Sequence, residues 1–366
     1  MPLWTTRRSS RALVQKLGSH DGPIAALAVL PDGRVVSSGA WDGRLRIWDP
    51  ASSRADPVEL TSPDGNILAL AALPDGRVVL GCAIPQESLE LPDRSVFLKG
   101  SIRGDPFRGR VLVWNPGTPQ ARPVELGRHD GGVLTLAVLP DGRVASGSEQ
   151  LQGVFQKPEG GFVTGDVFEG RVRVWNPAAP GAAPVASLGY DSFHLGYGSV
   201  RALAVLLDGR IVTGAGSVIR VWDPARPGAR PLELGDAGSS ARAVVTLPDG
   251  RVVSGAGMDV SGGPSGRLQI WDPAKPDAGP VELGCTNCQV QALAVLPDGR
   301  VVSGCIDRRL RIWDPAAPRG AAPVDLGSHD DWGEALAVLP GGKVVSGGAE
   351  GKLLVWDPGL SRRRVA

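Results

Sequence analysis

The sequence predicts an all-β protein built from seven copies of one four-stranded unit. Seven segments end in Trp-Asp-Pro or Trp-Asn-Pro, and their tryptophans are Trp48, Trp114, Trp175, Trp222, Trp271, Trp313 and Trp356. Each segment follows a unit similar to "ALAVLPDGRVVSG", such as "AALAVLPDGRVVSSG" in the first copy and "QALAVLPDGRVVSG" in the sixth. The last three tryptophans lie 42 and 43 residues apart, and self-similarity at such a period indicates a repeat architecture.

The four strands follow from local patterns within each copy. The apolar run "ALAVL" is typical of a strand buried on both faces, and "PDG" forms a tight turn because Pro presets φ and Gly supplies a positive φ. "RVVSG" is the second strand, and in the third, "RLRIW", Arg44, Arg46 and Trp48 share one face. "PVELG" is the fourth strand. Because it begins with proline, we expect it at the outer edge of its sheet.

With these motifs the sequence resembles the WD-repeat family, whose repeats form the blades of β-propellers. The resemblance covers about residues 12–358 and implies a seven-bladed propeller of four-stranded antiparallel blades, one domain over residues 1–366. The last copy has no "PVELG" after it, whereas an unassigned segment, "RALVQKLG" at residues 11–18, precedes the first copy. We therefore expect the N-terminal strand to complete the last blade.

Composition excludes several classes of function. The formal net charge of the 366 residues is +1, which argues against a general nucleic-acid binder, and no apolar run is long enough to span a membrane. The N-terminal residues lack the apolar core of a signal peptide, so we expect a cytoplasmic monomer. The preference for Arg, Ala, Gly and Pro suggests a GC-rich, bacterial genome. The basic tails, residues 1–11 and 359–366, are expected to be solvated, and the alternative is that their six arginines dock an acidic partner or an anionic surface.

His20, Ser38 and Asp42 in the first copy have the residue types of a hydrolase triad. The strand-turn-helix context of a nucleophile elbow is lacking, however. The resemblance implies instead a structural hydrogen-bond network of His, Ser, an acid and the third-strand Trp. Its members are His20, Ser38, Asp42 and Trp48 in the first copy, His129, Ser146, Glu169 and Trp175 in the third, and His329, Ser346, Glu350 and Trp356 in the seventh. The sixth copy keeps Ser303, Asp307 and Trp313 without the His, and no catalytic residue is predicted.

Aromatic residues outside the repeat pattern concentrate on one predicted face. Seven of the ten tryptophans belong to the pattern. Because adjacent strands run antiparallel, the loops that enter each first strand and the loops that join second and third strands emerge on the same side, here called the top face. Ten of the eleven remaining aromatic residues map to these loops. The longest of them are insertions at about residues 83–109, 149–169 and 257–266.

We therefore expect a non-catalytic scaffold that presents the top face to a protein or peptide, without a cofactor, a metal, a nucleic acid or a membrane as partner. Exposed Trp and Tyr are frequent binding hot spots, and the predicted partner-binding residues are Trp41, Trp332, Phe168, Ile306, Arg108, Tyr190, Phe193 and Tyr197. In one alternative the insertion aromatics form a small core of their own. In another, a small molecule or glycan binds, or is turned over, at the top-face funnel through Tyr190, Asp191, His194 and Tyr197.

Three of the four cysteines belong to the sixth copy. Cys285 and Cys288 form a CxxC in the loop that enters it, and Cys305 ends its second strand, so all three are expected near the top face. Zinc prefers four ligands, and no fourth Cys or His is local. A small buried residue, a redox pair and a metal site are the alternatives. The interpretation as small buried residues is favoured, because alanine stands at the corresponding place in other copies.

Overall fold

The computed structural model describes residues 12, 15–40, 42–52, 57–61, 66–85, 107–152, 155–157, 161–163, 167–189, 199–257, 266–286 and 288–360. Apart from one short 3-10 helix, Pro276–Ala278, the regular structure in these ranges is β-strand. No helix among these residues has the length and apolar character needed to cross a membrane.

The strands follow the repeats. The chain begins with β1 (Gln15–Ser19), β2 (Ile24–Val29), β3 (Val35–Gly39), β4 (Arg44–Trp48), β5 (Val58–Thr61), β6 (Asn66–Ala72), β7 (Val78–Pro85), β8 (Phe107–Trp114) and β9 (Val124–His129). It continues with β10 (Val133–Val138), β11 (Val144–Gln152), β12 (Phe155–Lys157), β13 (Gly161–Val163), β14 (Val167–Trp175), β15 (Ala186–Gly189), β16 (Val200–Val205), β17 (Ile211–Ala215), β18 (Val218–Trp222) and β19 (Leu232–Asp236). The last strands are β20 (Ala241–Thr246), β21 (Val252–Ala256), β22 (Arg267–Trp271), β23 (Val281–Cys285), β24 (Val290–Val295), β25 (Val301–Cys305), β26 (Arg309–Trp313), β27 (Val324–Ser328), β28 (Gly333–Val338), β29 (Val344–Gly348) and β30 (Lys352–Trp356).

These strands form seven four-stranded antiparallel sheets, and β12 with β13 forms a small hairpin within the insertion of the third copy. Each four-stranded sheet is one blade. The first strands of neighbouring blades contact one another around the whole ring, including β28 of blade seven with β2 of blade one. The predicted seven-bladed propeller is therefore confirmed, with each fourth strand at an outer edge, as the proline pattern indicated.

The N-terminal strand closes the ring. β1 pairs antiparallel with β30, with Gln15 opposite Val355 and Ser19 opposite Lys352, so the sheet order of blade seven is β1-β30-β29-β28. The missing fourth strand of the last copy is thus supplied from the other end of the chain, as predicted.

The repeat tryptophans hold neighbouring blades together. Each is at most 7% exposed, and most of them pack on a fourth-strand glycine of the preceding blade. A Cβ atom added to Gly18 would lie 1.9 Å from the Trp48 ring, and one added to Gly127 would lie 2.0 Å from the Trp175 ring. The glycine of "PVELG" therefore provides room for an indole of the next blade.

Candidate functional site

The two kinds of top-face loop lie side by side and are joined by backbone hydrogen bonds. In blade seven the Ala349 N–H donates to the Trp332 carbonyl oxygen at 2.8 Å, and in blade one the Ala40 N–H donates to the Pro23 carbonyl oxygen at 2.8 Å. Corresponding bonds join Gly257 to Ser240 at 2.8 Å and Ile306 to Gln289 at 3.1 Å. The loops that enter the blades and the loops between second and third strands therefore share one face.

On the opposite face, here called the bottom face, six of the seven blades repeat one ion-paired turn. In its "PDG" turns the carboxylate belongs to the turn itself: Asp32 accepts from the Arg34 backbone N–H at 3.0 Å and from Arg34 Nε at 2.8 Å. The same pair recurs as Asp75 with Arg77, Asp141 with Arg143, Asp208 with Arg210, Asp249 with Arg251 and Asp298 with Arg300. The charges of these six turns are therefore paired within the turns themselves.

A buried histidine network supports the top-face loops. In blade seven, Trp356 Nε1 donates to Ser346 Oγ at 2.6 Å, and His329 Nε2 lies 2.6 Å from the same oxygen. His329 Nδ1 lies 2.8 Å from Glu350 Oε1. Ser346 is fully buried and its hydroxyl is engaged by two rings. This serine is therefore a structural hydrogen-bonding group in an enclosed place, where a substrate has no access to it.

In blade one the network contains Ser37, and the prediction of Ser38 is wrong. Trp48 Nε1 donates to Ser37 Oγ at 2.7 Å, His20 Nε2 lies 2.7 Å from that oxygen, and His20 Nδ1 lies 2.8 Å from Asp42 Oδ2. Ser38 Oγ, which is equally buried, has no hydrogen-bond partner among the described residues. Successive strand residues point to opposite faces, so an error of one residue places the hydroxyl on the wrong side of the sheet.

The reason for the error is an additional residue in the first repeat. Ser37 and Asp42 are five positions apart, whereas Ser346 and Glu350 are four positions apart. Since Ala40 makes the backbone bond that Ala349 makes in blade seven, the additional residue by position is Trp41. The first repeat therefore has two tryptophans because its loop contains one residue that the corresponding loops of blades six and seven lack.

In blade three, His129 Nε2 and Trp175 Nε1 each lie 2.7 Å from Ser146 Oγ. The side chain of Glu169 lies outside the described residues. Burial lowers the pKa of His129 to about 3, and burial also lowers the pKa of His20, although Asp42 opposes that shift. Both imidazoles are therefore neutral hydrogen-bonding groups near neutral pH.

Three predicted partner-binding residues have a described position. Trp332 is 49% exposed, while its backbone is fixed: its N–H donates to Asp331 Oδ1 at 2.8 Å and its carbonyl accepts from Ala349. Arg108 is exposed near the start of β8, opposite Ile84. Ile306 is half-buried and packs on the core of blades five and six. It corresponds to Ala40 rather than to Trp41, which explains its inward packing.

The other predicted positions lie outside the described residues. They are Trp41, Tyr190, Phe193 and Tyr197, together with Asp191 and His194 of the ligand-binding alternative. The backbone of Phe168 is described within β14, opposite Leu151, but its side chain is not. Most of the three insertions belongs to the same undescribed part of the chain.

Comparison with known proteins agrees with this geometry. The sequence profile of the family described as WD domain, G-beta repeat matches residues 11–49 and 281–314. The fold is similar to the crystal structure of the WD40 β-propeller domain of Doa1, with a TM-score of 0.64 and 16% sequence identity over 95% of this chain and 97% of that one. The chain is therefore a seven-bladed β-propeller with two segments similar to WD repeats. No curated protein matches its sequence, and at 16% identity the likeness to Doa1 concerns the fold.

The propeller also places two arginines, which the sequence pattern did not reveal, on the neighbouring first strands β16 and β20. Arg201 pairs with Glu149, Nη2 to Oε2 at 3.1 Å. Arg242 donates from Nη1 to Gln291 Oε1 at 3.2 Å, and among the described side chains it has no carboxylate partner. Burial and the charge of Arg201 lower the pKa of Arg242. The signal in the sequence is the second residue of the first strand, which is Ala25 in the first copy and arginine in the fourth and fifth.

Proposed function

We propose that this propeller is a non-catalytic scaffold whose top face binds a protein or peptide partner through Trp332. The WD-repeat fold supports a general role in protein interaction. The observation that carries the finer proposal is the exposure of one ring. Among the eight tryptophans in the described part of the chain, seven are buried in the repeat pattern and Trp332 alone is exposed.

Trp332 has the properties of a binding anchor. Its backbone is held by hydrogen bonds at both the N–H and the carbonyl, so little chain entropy is lost when a partner covers the ring. An indole buries about 200 Å² when fully covered. Covering the half that is exposed would contribute about 2–3 kcal/mol, at about 25 cal/mol per Å². That free energy corresponds to roughly a 30–150-fold change in affinity.

Charge indicates the partner's composition. Arg242 is half-buried beside Arg201 and has no described carboxylate partner. Such a pair favours a partner segment that also carries an acidic side chain. We further propose that residues 1–366 form one domain, as the pattern of repeats indicates. We also propose that the protein is monomeric and cytoplasmic, which agrees with its formal charge of +1.

Affinity capture with matched variants tests this proposal. Immobilised wild type, Trp332→Ala, the double variant Trp41→Ala with Trp332→Ala, and Leu207→Ala are compared by quantitative mass spectrometry of captured proteins. Leu207 is the control because it is apolar, 77% exposed and located in a bottom-face turn. We expect Trp332→Ala and the double variant to lose partners that Leu207→Ala retains. Identical partner sets for all four proteins would refute the proposed anchor.

The alternative of a small-molecule or glycan ligand depends on Tyr190, Asp191, His194 and Tyr197, which lie outside the described residues, and it stays a prediction. Two cavities that the described residues line, of about 190 and 310 Å³, lie beside the "WDP" and "PDG" segments of blades five and six. Both are therefore bottom-face features, and neither supports a ligand at the top-face funnel.

A further inference from the structure

Blade six replaces the histidine network with a different set of side chains. In blade seven, a Cβ atom on Gly348 would lie 2.7 Å from His329 Nδ1 and 2.0 Å from Glu350 Oε2, so the network requires glycine there. By register, Thr286 of blade six stands where His329 stands, and Cys305 stands where Gly348 stands. The loss of the imidazole therefore leaves space that a thiol side chain occupies.

A second thiol and a carboxylate meet Cys305 in this space. The Sγ atoms of Cys288 and Cys305 and a carboxylate oxygen of Asp307 all lie within 4.8 Å of one another. Cys305 Sγ also lies 3.9 Å from Ser303 Oγ on its own strand. Cys305 is fully buried, Cys288 is 6% exposed, and Asp307 is half-buried. These three residues are called the Cys2Asp cluster below.

The backbone around the cluster is fixed. The Thr286 hydroxyl lies 2.6 Å from the Cys288 carbonyl oxygen and 3.0 Å from the Gly266 carbonyl oxygen. A Cβ on Gly266 would lie only 1.5 Å from the Cys288 carbonyl oxygen, so this loop is packed directly on the neighbouring strand. Cys305 ends β25 and Asp307 follows it in the turn. The three ligand atoms are therefore presented by a rigid support, as a selective site requires.

We propose that Cys288, Cys305 and Asp307 bind a thiophilic divalent cation of the zinc type, with water as the fourth ligand. Zinc binds Cys sulfur at about 2.3 Å and carboxylate oxygen at about 2.0–2.2 Å. In a tetrahedral site these lengths put neighbouring ligand atoms about 3.5–3.8 Å apart, which is within the 4.8 Å observed. Three protein ligands with one open position are typical of accessible zinc sites. The partial exposure of Asp307 provides the opening.

Arg311 completes the charge balance of the cluster. Two thiolates and one carboxylate carry three negative charges, which a divalent cation and one guanidinium neutralise, whereas a monovalent cation would leave an excess. Arg311 donates from Nη1 to Asp307 Oδ1 at 3.1 Å and from Nη2 to Oδ2, and the Arg309 N–H donates to Oδ1 at 3.1 Å. Oδ2 thus keeps a lone pair for the cation, and Arg311 orients the carboxylate.

A disulfide between the two cysteines is the competing interpretation. It would use both sulfur atoms and leave the Asp307 carboxylate, which contacts Cys288, without a part in the chemistry. A cation uses all three groups. From sequence a metal site is the less favoured alternative, because no fourth Cys or His is local and Asp307 matches the acid of the histidine network.

Cobalt substitution tests the site without any assay of activity. Full-length protein is purified with a reductant and a chelator, exchanged into chelator-free buffer and titrated with Co²⁺, then with Zn²⁺. We expect one Co²⁺ per chain, with thiolate-to-cobalt absorption in the near ultraviolet and tetrahedral d–d bands in the visible, both abolished by one equivalent of Zn²⁺. Bound Zn²⁺ should raise the melting temperature.

Variants assign the ligands. Cys288→Ser and Cys305→Ser should each weaken cobalt binding more than about 100-fold, and Arg311→Gln by about 10–100-fold, since outer partners of a ligand have effects of that size. Cys82→Ser is the matched control, because Cys82 is buried at the place in blade two that Cys305 holds in blade six. It should bind like the wild type. Circular dichroism melts establish that each variant is folded.

Three results would overturn the proposal. The first is wild-type protein without a thiolate-to-cobalt band at a tenfold excess of Co²⁺. The second is a band that persists unchanged in Cys288→Ser or in Cys305→Ser. The third is a Cys288–Cys305 disulfide in protein purified without reductant, together with reduced protein that binds neither metal.

Discussion

The glycine that ends "PVELG" offers a sharp test of how the blades lock together. A Cβ atom on Gly127 would lie 2.0 Å from Cζ3 and 2.5 Å from Cη2 of Trp175, whereas apolar carbons rest about 3.5–4.0 Å apart. The indole must therefore move by about 1.5 Å or more. It is 3% exposed and donates to Ser146 Oγ at 2.7 Å, so the shift strains the packing between blades two and three.

The expected cost of Gly127→Ala is about 2–4 kcal/mol, of which about 1–3 kcal/mol is overpacking and about 1 kcal/mol is the weakened hydrogen bond. Gly189 is the matched control. It follows the buried Leu188 in β15 as Gly127 follows the buried Leu126 in β9, and a Cβ there meets nothing within 4 Å. Gly189→Ala should be neutral or stabilise by up to about 1 kcal/mol through the unfolded chain. Urea titration followed by tryptophan fluorescence measures both. Equal free energies of unfolding for the two variants would refute the interlock.

Three further predictions concern the network and the closure of the ring. Trp356 Nε1 donates to Ser346, whereas Trp114 Nε1 has no hydrogen-bond partner among the described residues. Trp356→Phe should therefore lower the free energy of unfolding by about 1–3 kcal/mol more than Trp114→Phe does, as measured by urea titration. Equal losses for the two variants would contradict this. The pKa of His129 is about 3 in the folded protein and about 6.5 in the unfolded chain. The unfolded chain therefore binds one more proton as the pH falls below 6.5. This uptake lowers the free energy of unfolding by about 2 kcal/mol between pH 7 and pH 5. His129→Gln should reduce this pH dependence by that amount, and an unchanged dependence would count against a neutral buried imidazole. Deletion of residues 1–18 removes most of β1 and should lower the cooperativity and midpoint of thermal unfolding; a wild-type melt would contradict closure by this strand.

The architecture could be predicted from sequence because its determinants are local and repeated. Each "PDG" turn and each Trp-Asp-Pro marks a strand boundary, and seven copies make the period unambiguous. The incomplete last copy and the unassigned N-terminal segment together indicated closure, which β1 and β30 confirm. Because adjacent strands are antiparallel, the loops that enter first strands and the loops that join second and third strands were predicted to lie on the same face. The backbone hydrogen bonds of Ala349 and Ala40 agree with this prediction.

Register within a strand was less predictable. Ser38 was chosen over Ser37 because the sequence does not show where an additional loop residue is accommodated, and a shift of one residue reverses the direction of a side chain. The same shift misplaced Ile306, which packs inward. The Cys2Asp cluster was missed for another reason: it depends on which side chain fills the space left by an absent imidazole. That information lies in packing between strands rather than in the spacing of Cys residues.

Hydrogen exchange with a captured partner tests the central claim, that the top face is the recognition surface, most directly. Backbone protection on complex formation is compared between peptides that contain Trp332 or Gln289, on the top face, and peptides that contain Leu207 or the Asp32 turn, on the bottom face. We predict protection of the top-face peptides with unchanged exchange at the bottom-face turns. Protection confined to the bottom-face turns would contradict the account.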